Sequence, residues 1–137
     1  MLDITEGGTL AVDNTLSGRS YIVSQEIDCA EIAVPSDGIV KAINVPADHL
    51  KAWVRTKVIT EQGAALDIDV GDSGDTDAYG DALDGNDDTV DNVVASTRVS
   101  ASADYIRVMF KADGTDNAAQ PDKCKIRVTA CLIDMSY

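Results

Sequence analysis

Aromatic side chains are scarce: they make up 4% of the chain, and Trp53 and Phe110 are the sole examples of their kinds. A core must then be filled chiefly by Val, Ile, Leu and Ala, which bury less area per residue than rings do. Association with other chains would supplement such a core. Histidine is represented by His49 alone, so a zinc site or catalytic dyad built on imidazoles has no second member. Basic residues are few, 11 Lys and Arg against 24 Asp and Glu, for a net charge of −13. That balance excludes nucleic acid and anionic membrane surfaces as partners, because both are bound through clustered cations. No apolar run approaches the roughly 20 residues needed to cross a bilayer. Residues 1–8 are acidic and end in a Gly pair, without the basic and apolar regions of a secretory leader. The expectation is a soluble protein made in the cytoplasm.

Other absences bear on chemistry. The three cysteines, Cys29, Cys124 and Cys131, are odd in number and lack CxxC spacing, which points to reduced, buried thiols rather than a disulfide framework. No GxSxG elbow, Walker loop, GxGxxG after a strand or HExxH is present. Carboxylates abound, but glycosidic hydrolysis needs one of a pair held in a cleft with a raised pKa, and Gly-flanked aspartates do not supply that. The chain is read as a non-enzyme with no cofactor.

What is present is β-strand patterning. Apolar and polar residues alternate through 51–61, 66–70, 105–112 and 124–132, the mark of half-buried strands. On the first of these, Ala52, Val54, Thr56, Val58 and Thr60 are read as one face, opposite Lys51, Arg55 and Lys57. Segments 20–24, 30–35, 38–45 and 93–100 are rich in β-branched residues and bounded by Gly, Pro, Asp or Ser. Ser36-Asp37-Gly38 reads as a tight turn, and 47–52 after Pro46 as one short helical turn. No long segment has a helical period. At 137 residues one core suffices, and seven or eight short strands predict an all-β fold: a two-layer antiparallel β-sandwich, jelly-roll-like. Residues 1–30, interrupted by Gly7-Gly8, Asn14 and Ser17-Gly18, form an irregular N-terminal arm or edge segment; residues 31–137 form the sandwich domain.

Two features suggest surfaces for partners. Between Lys57 and Arg98 there is no basic residue, while ten aspartates from Asp67 to Asp91 crowd one stretch. Asp72, Asp75 and Asp77 are the candidate ligands of a calcium ion, which takes six to eight oxygens. An EF-hand is excluded: a loop starting at Asp75 puts Tyr79 fifth and Asn86 twelfth, where a ligand and a Glu belong. A solvated acidic loop is the reading favoured over a calcium site. Arg55, Lys57, Arg107, Lys111, Lys125 and Arg127 occupy the polar positions of the clearest strands, so one sheet surface is expected to be basic. An acidic loop meeting such a face on another copy would set orientation and register.

The segments VRTKVIT (54–60), GDSGDTDAYGDA (71–82) and KIRVTACLID (125–134) together resemble small structural proteins of tailed bacteriophages. In that group a strand ending in a Gly-Asp-rich turn is followed by a β-branched strand pair. The resemblance spans roughly residue 34 to the C-terminus. It implies a β-sandwich virion protein, nearest to the head decoration or cement proteins. Those typically sit as homotrimers on the capsid surface and bind the major capsid protein. Leu2, Ile4, Leu10, Val12, Leu16, Trp53, Arg55 and Lys57 are the candidate partner-interface residues, with 2–17 expected to contact a partner more than its own core. The alternatives are a phage tail, baseplate or fibre-tip domain that binds a host surface glycan through Trp53, Tyr79 and Tyr105, and a cellular β-sandwich adhesion module.

Overall fold

The computed structural model describes residues 1–5 and 20–136. Nine strands follow in order: β1 (Leu2–Asp3), β2 (Ser20–Asp28), β3 (Ile39–Val45), β4 (His49–Thr60), β5 (Asp67–Gly71), β6 (Gly80–Asp84), β7 (Asp91–Ser100), β8 (Asp104–Lys111) and β9 (Lys125–Asp134). No helix occurs among the described residues.

The strands form two sheets, one ordered β1-β3-β8-β5-β6 and the other β2-β9-β4-β7. All pairings are antiparallel except the short parallel β1–β3. From β2 onward the first strand pairs with the last, the second with the next to last, the third with the sixth and the fourth with the fifth. This is a long hairpin rolled into two layers, the wrapping of a jelly roll. Inward residues of both sheets make one core, in which Val40, Val54, Val58, Ile68, Val70, Ile106, Val108, Phe110, Ile126 and Val128 are fully buried. Each such side chain contributes about 1.5–3 kcal/mol through burial. β-Branched residues dominate the core because they pack well on a pleated surface.

Three local expectations are corrected. The 30–35 segment is a turn: Asp28 Oδ1 accepts the Ala30 amide at 3.0 Å, and Asp28 O accepts those of Glu31 and Ile32. Such Asx bonding offers the backbone an alternative to a ladder. Residues 47–52 make no helical turn. Asp48 turns the chain with φ 60°, and β4 begins at His49. The register of β4 shifts between Lys51 and Trp53 against both neighbouring strands. This bulge at Ala52 rotates Lys51 into the interior, so Lys51 leaves the polar face on which simple alternation placed it.

Residues 1–5 belong to the sandwich. Ile4 N donates to Lys41 O at 3.1 Å, and Leu2 and Ile4 are partly buried against the protein's own core. β2, nine residues long, is an edge strand of the four-stranded sheet. Leu10, Val12 and Leu16 lie outside the described residues.

Candidate binding surface

The four-stranded sheet turns one face to the core and the other to solvent. Its ladder aligns the outward side chains in rows across β2, β9, β4 and β7. One row is Ile22, Cys131, Trp53 and Ala95; the next is Ser24, Thr129, Arg55 and Val93; the third is Glu26, Arg127, Lys57 and Asp91. The face therefore grades from apolar to charged along the strands. Ile22 and Val93 are 56% and 58% exposed, and Val99 is 49% exposed. Ile22 stands on the β2 edge and Val93 and Val99 on the β7 edge, with the Cys131–Trp53–Ala95 row running between them, and connected apolar groups on a surface mark interaction sites.

Two shallow hollows mark this face. An open one of about 520 Å³ is lined by Trp53, Arg55, Asp91, Val93 and Ala95. A smaller one of about 170 Å³ lies between Arg55, Lys57, Arg127 and Thr129. Arg55 and Asp91 form a two-pronged pair at 2.7 and 2.6 Å, whose bonds lower the Asp91 pKa and raise that of Arg55. Arg127 donates to Glu26 at 2.7 Å and depresses its pKa, with Lys125 3.5 Å from the other oxygen. Lys57 makes no ion pair within 4 Å among the described residues. Four cations, Arg55, Lys57, Lys125 and Arg127, thus face three carboxylates here, Asp91, Glu26 and Asp28, the last directly across from Lys125, a net excess of one positive charge on a chain of net −13. Arg107 and Lys111 are on β8, in the other sheet. The expected basic surface is consequently split, with Arg55, Lys57, Lys125 and Arg127 forming its larger part.

The acidic segment divides into buried and exposed parts. Asp72 has 0% of its side chain exposed. Its Oδ2 accepts from Lys51 Nζ (3.0 Å), Tyr79 OH (2.7 Å) and Arg98 Nε (2.8 Å). Its Oδ1 accepts from the second Arg98 prong (2.8 Å) and from the amides of Gly74 and Asp75. Burial alone would raise the Asp72 pKa, but the bonds from Arg98, Tyr79 and Lys51 outweigh it and hold the carboxyl well below the usual range. The same site pushes the Tyr79 hydroxyl up, through burial first and the Asp72 carboxylate second. Asp72 is therefore saturated by donors, whereas Asp75 and Asp77 are exposed. No cluster of three His, Cys, Asp or Glu side chains with metal-holding geometry occurs among the described residues.

Sequence reasoning missed the Lys51–Asp72–Arg98–Tyr79 network. No pattern in the chain marks it, because the bulge that turns Lys51 inward has no sequence signature. His49 is buried; its Nδ1–H donates to Ala47 O at 3.0 Å, and its ring stands edge-on to Tyr21 at 5.7 Å. These contacts give the lone histidine a packing role.

No family model matches the chain, and no curated protein matches it. Solved structures do. A chain from the acidic stable capsid structure of Helicobacter pylori bacteriophage KHP30 is 17% identical with a TM-score of 0.63, over 87% of this chain and 90% of that one. A chain of the cyanophage Pam1 capsid asymmetric unit is 16% identical with a TM-score of 0.62, over 93% and 94%. A chain from the capsid of Ralstonia phage GP4 is 15% identical with a TM-score of 0.54, over 98% and 99%. The two-layer roll described above is thus a fold that this chain shares, along nearly its whole length, with chains found in three phage capsids.

Proposed function

We propose that the protein is a non-enzymatic virion component that decorates the head surface of a bacteriophage, binding the major capsid protein as a homotrimer and stabilising the shell. The observation that carries this reading is the likeness to capsid chains over nearly the full length of both partners. The exposed apolar and cationic face on β2, β9, β4 and β7 supports it, since a decoration protein acts through area shared with its neighbours.

A glycan-binding tail domain draws less support. Of the three aromatics such a site would use, Tyr79 is fully buried, and the Lys41 ammonium lies over the Tyr105 ring at 4.9 Å. Trp53 lies in the open hollow of the four-stranded sheet, and Tyr105 lines another, of about 480 Å³, whose wall includes that Lys41.

The test is co-sedimentation of the purified protein with shells assembled from the major capsid protein alone, followed by thermal disruption of the shells. Saturable binding and a raised disruption temperature are expected. Absence of binding to both expanded and unexpanded shells would overturn the decoration reading.

A further inference from the structure

We propose that the outer face of the four-stranded sheet receives a second copy of this chain, whose acidic β5–β6 side supplies the complementary surface. This deepens the homotrimer in the reading above and rests on it.

Both halves of the contact are on one chain. The receiving half has an apolar floor at Trp53, Val93 and Ala95 and a cationic border of Arg55, Lys57 and Arg127. Arg55 and Arg127 are held by Asp91 and Glu26 of the same copy, while Lys57, which makes no ion pair within 4 Å among the described residues, is the cation of this border left for a neighbour. The donating half is the edge of the five-stranded sheet. There Asp75, Asp77, Asp81, Asp84 and Asp88 are exposed and no basic residue lies between Lys57 and Arg98. The Asp77 pKa is raised, by its hydrogen bond with Asp75 first, then by burial, and then by the charges of Asp75, Asp81 and Asp69. A cation from a neighbouring copy would relieve such like charges, and Lys57 lies on the other sheet's outer face.

The two surfaces differ, so the contact is heterologous: each copy gives its acidic side and receives its neighbour's. Contacts of this kind close into rings when the rotation between copies permits, which suits a trimer and not an isologous pair. Charge sets the register, and the apolar floor supplies the burial.

The experiment is size exclusion with light scattering on four forms of the full chain at low and high salt, each checked by thermal unfolding to be folded. The forms are the wild type, Lys57→Glu/Arg127→Glu, Asp77→Lys/Asp81→Lys, and the chain carrying all four substitutions. The wild type is expected at about three times the 14.5 kDa chain mass. Each pair of substitutions alone should give monomer, and the fourfold form should regain the trimer. A common mass for all four forms, or a fourfold form that stays monomeric, would overturn the proposal. So would a Lys57→Glu/Arg127→Glu form that keeps the wild-type mass but no longer binds shells. That last result would give the face to the capsid protein and leave the decoration reading intact, whereas loss of the decoration reading would appear as wild-type protein that binds no shell.

Discussion

The ammonium of Lys51 lies 3.0 Å from the carboxylate of Asp72, and neither side chain exposes more than 2% of its surface. Lys51 extends from β4 in one sheet and Asp72 follows β5 in the other, so the pair crosses the sandwich. Asp104, at the start of β8, accepts a second bond from Lys51 at 3.1 Å. Burying charges is unfavourable unless each is paired and hydrogen-bonded, and here the donors saturate Asp72. Removal of one partner leaves the others stranded. Asp72→Ala is expected to destabilise the fold by about 3–5 kcal/mol, read from urea denaturation. A loss within error of zero would show that the network is not a structural tie.

The same network sets a pH window. Asp72 and Asp104 both have depressed pKa values in the folded protein, each set against burial by hydrogen bonds and by Lys51. A depressed carboxyl stabilises the fold at pH values above its unfolded pKa of about 3.9, and that contribution is lost as pH falls through the folded value. Stability in urea should therefore hold from pH 7 to 5 and decline below about pH 4. Asp72→Asn, which has no such proton to take up on unfolding, should start less stable at pH 7 and decline with a shallower slope. Parallel slopes for the two proteins would refute the linkage.

Thiol chemistry distinguishes the three cysteines. Cys29 and Cys124 are buried, joined by the bond from Cys29 N to Cys124 O at 2.9 Å. Burial pushes both thiols up to about 12. Thiolate is the reactive form, so neither should react with iodoacetamide at pH 8 in the native state. Cys131, half-buried on the outer face beside Trp53, should be labelled first, and assembly through that face should protect it. Mass spectrometry should find one adduct on the native monomer and three after denaturation. Rapid native labelling of Cys124 would contradict the burial.

The strands that sequence made legible are those whose two faces differ in solvation. β8 and β9 alternate cleanly because Ile106, Val108, Ile126 and Val128 face the core while their neighbours face water. β6 was not foreseen: it is five residues at a sheet edge, mostly exposed, and carries no alternation to read. Trp53, Arg55 and Lys57 were legible as one outward face because β4 keeps its register from Trp53 to Val58, between its two irregularities. Lys51 was not, since a one-residue insertion reverses which face a side chain takes. The buried role of Asp72 was hidden for a related reason. Its partners, Lys51 and Arg98, lie 21 and 26 residues away, and an aspartate amid nine others looks like the rest of them.

Gly71 closes β5 immediately before Asp72, and the turn it enters presses back on it. A Cβ at this position would lie 2.2 Å from the backbone atoms Asp75 O and Thr76 C. Neither can give way without opening the turn, which is closed by the bond from Asp72 N to Asp75 O at 2.9 Å. Opening it moves Asp72, whose Oδ1 caps the amides of Gly74 and Asp75 in the same turn. Gly71→Ala should thus act twice, by overpacking at about 1–3 kcal/mol and by displacing the carboxylate from Lys51 and Arg98. The second effect vanishes when the carboxylate is already absent. Gly71→Ala combined with Asp72→Ala should consequently cost less than the sum of the two single losses, by about 0.5–3 kcal/mol of coupling. Denaturation of the four proteins in the cycle measures this. Strict additivity would mean that the glycine and the ion network act independently, and that the turn's shape does not place Asp72.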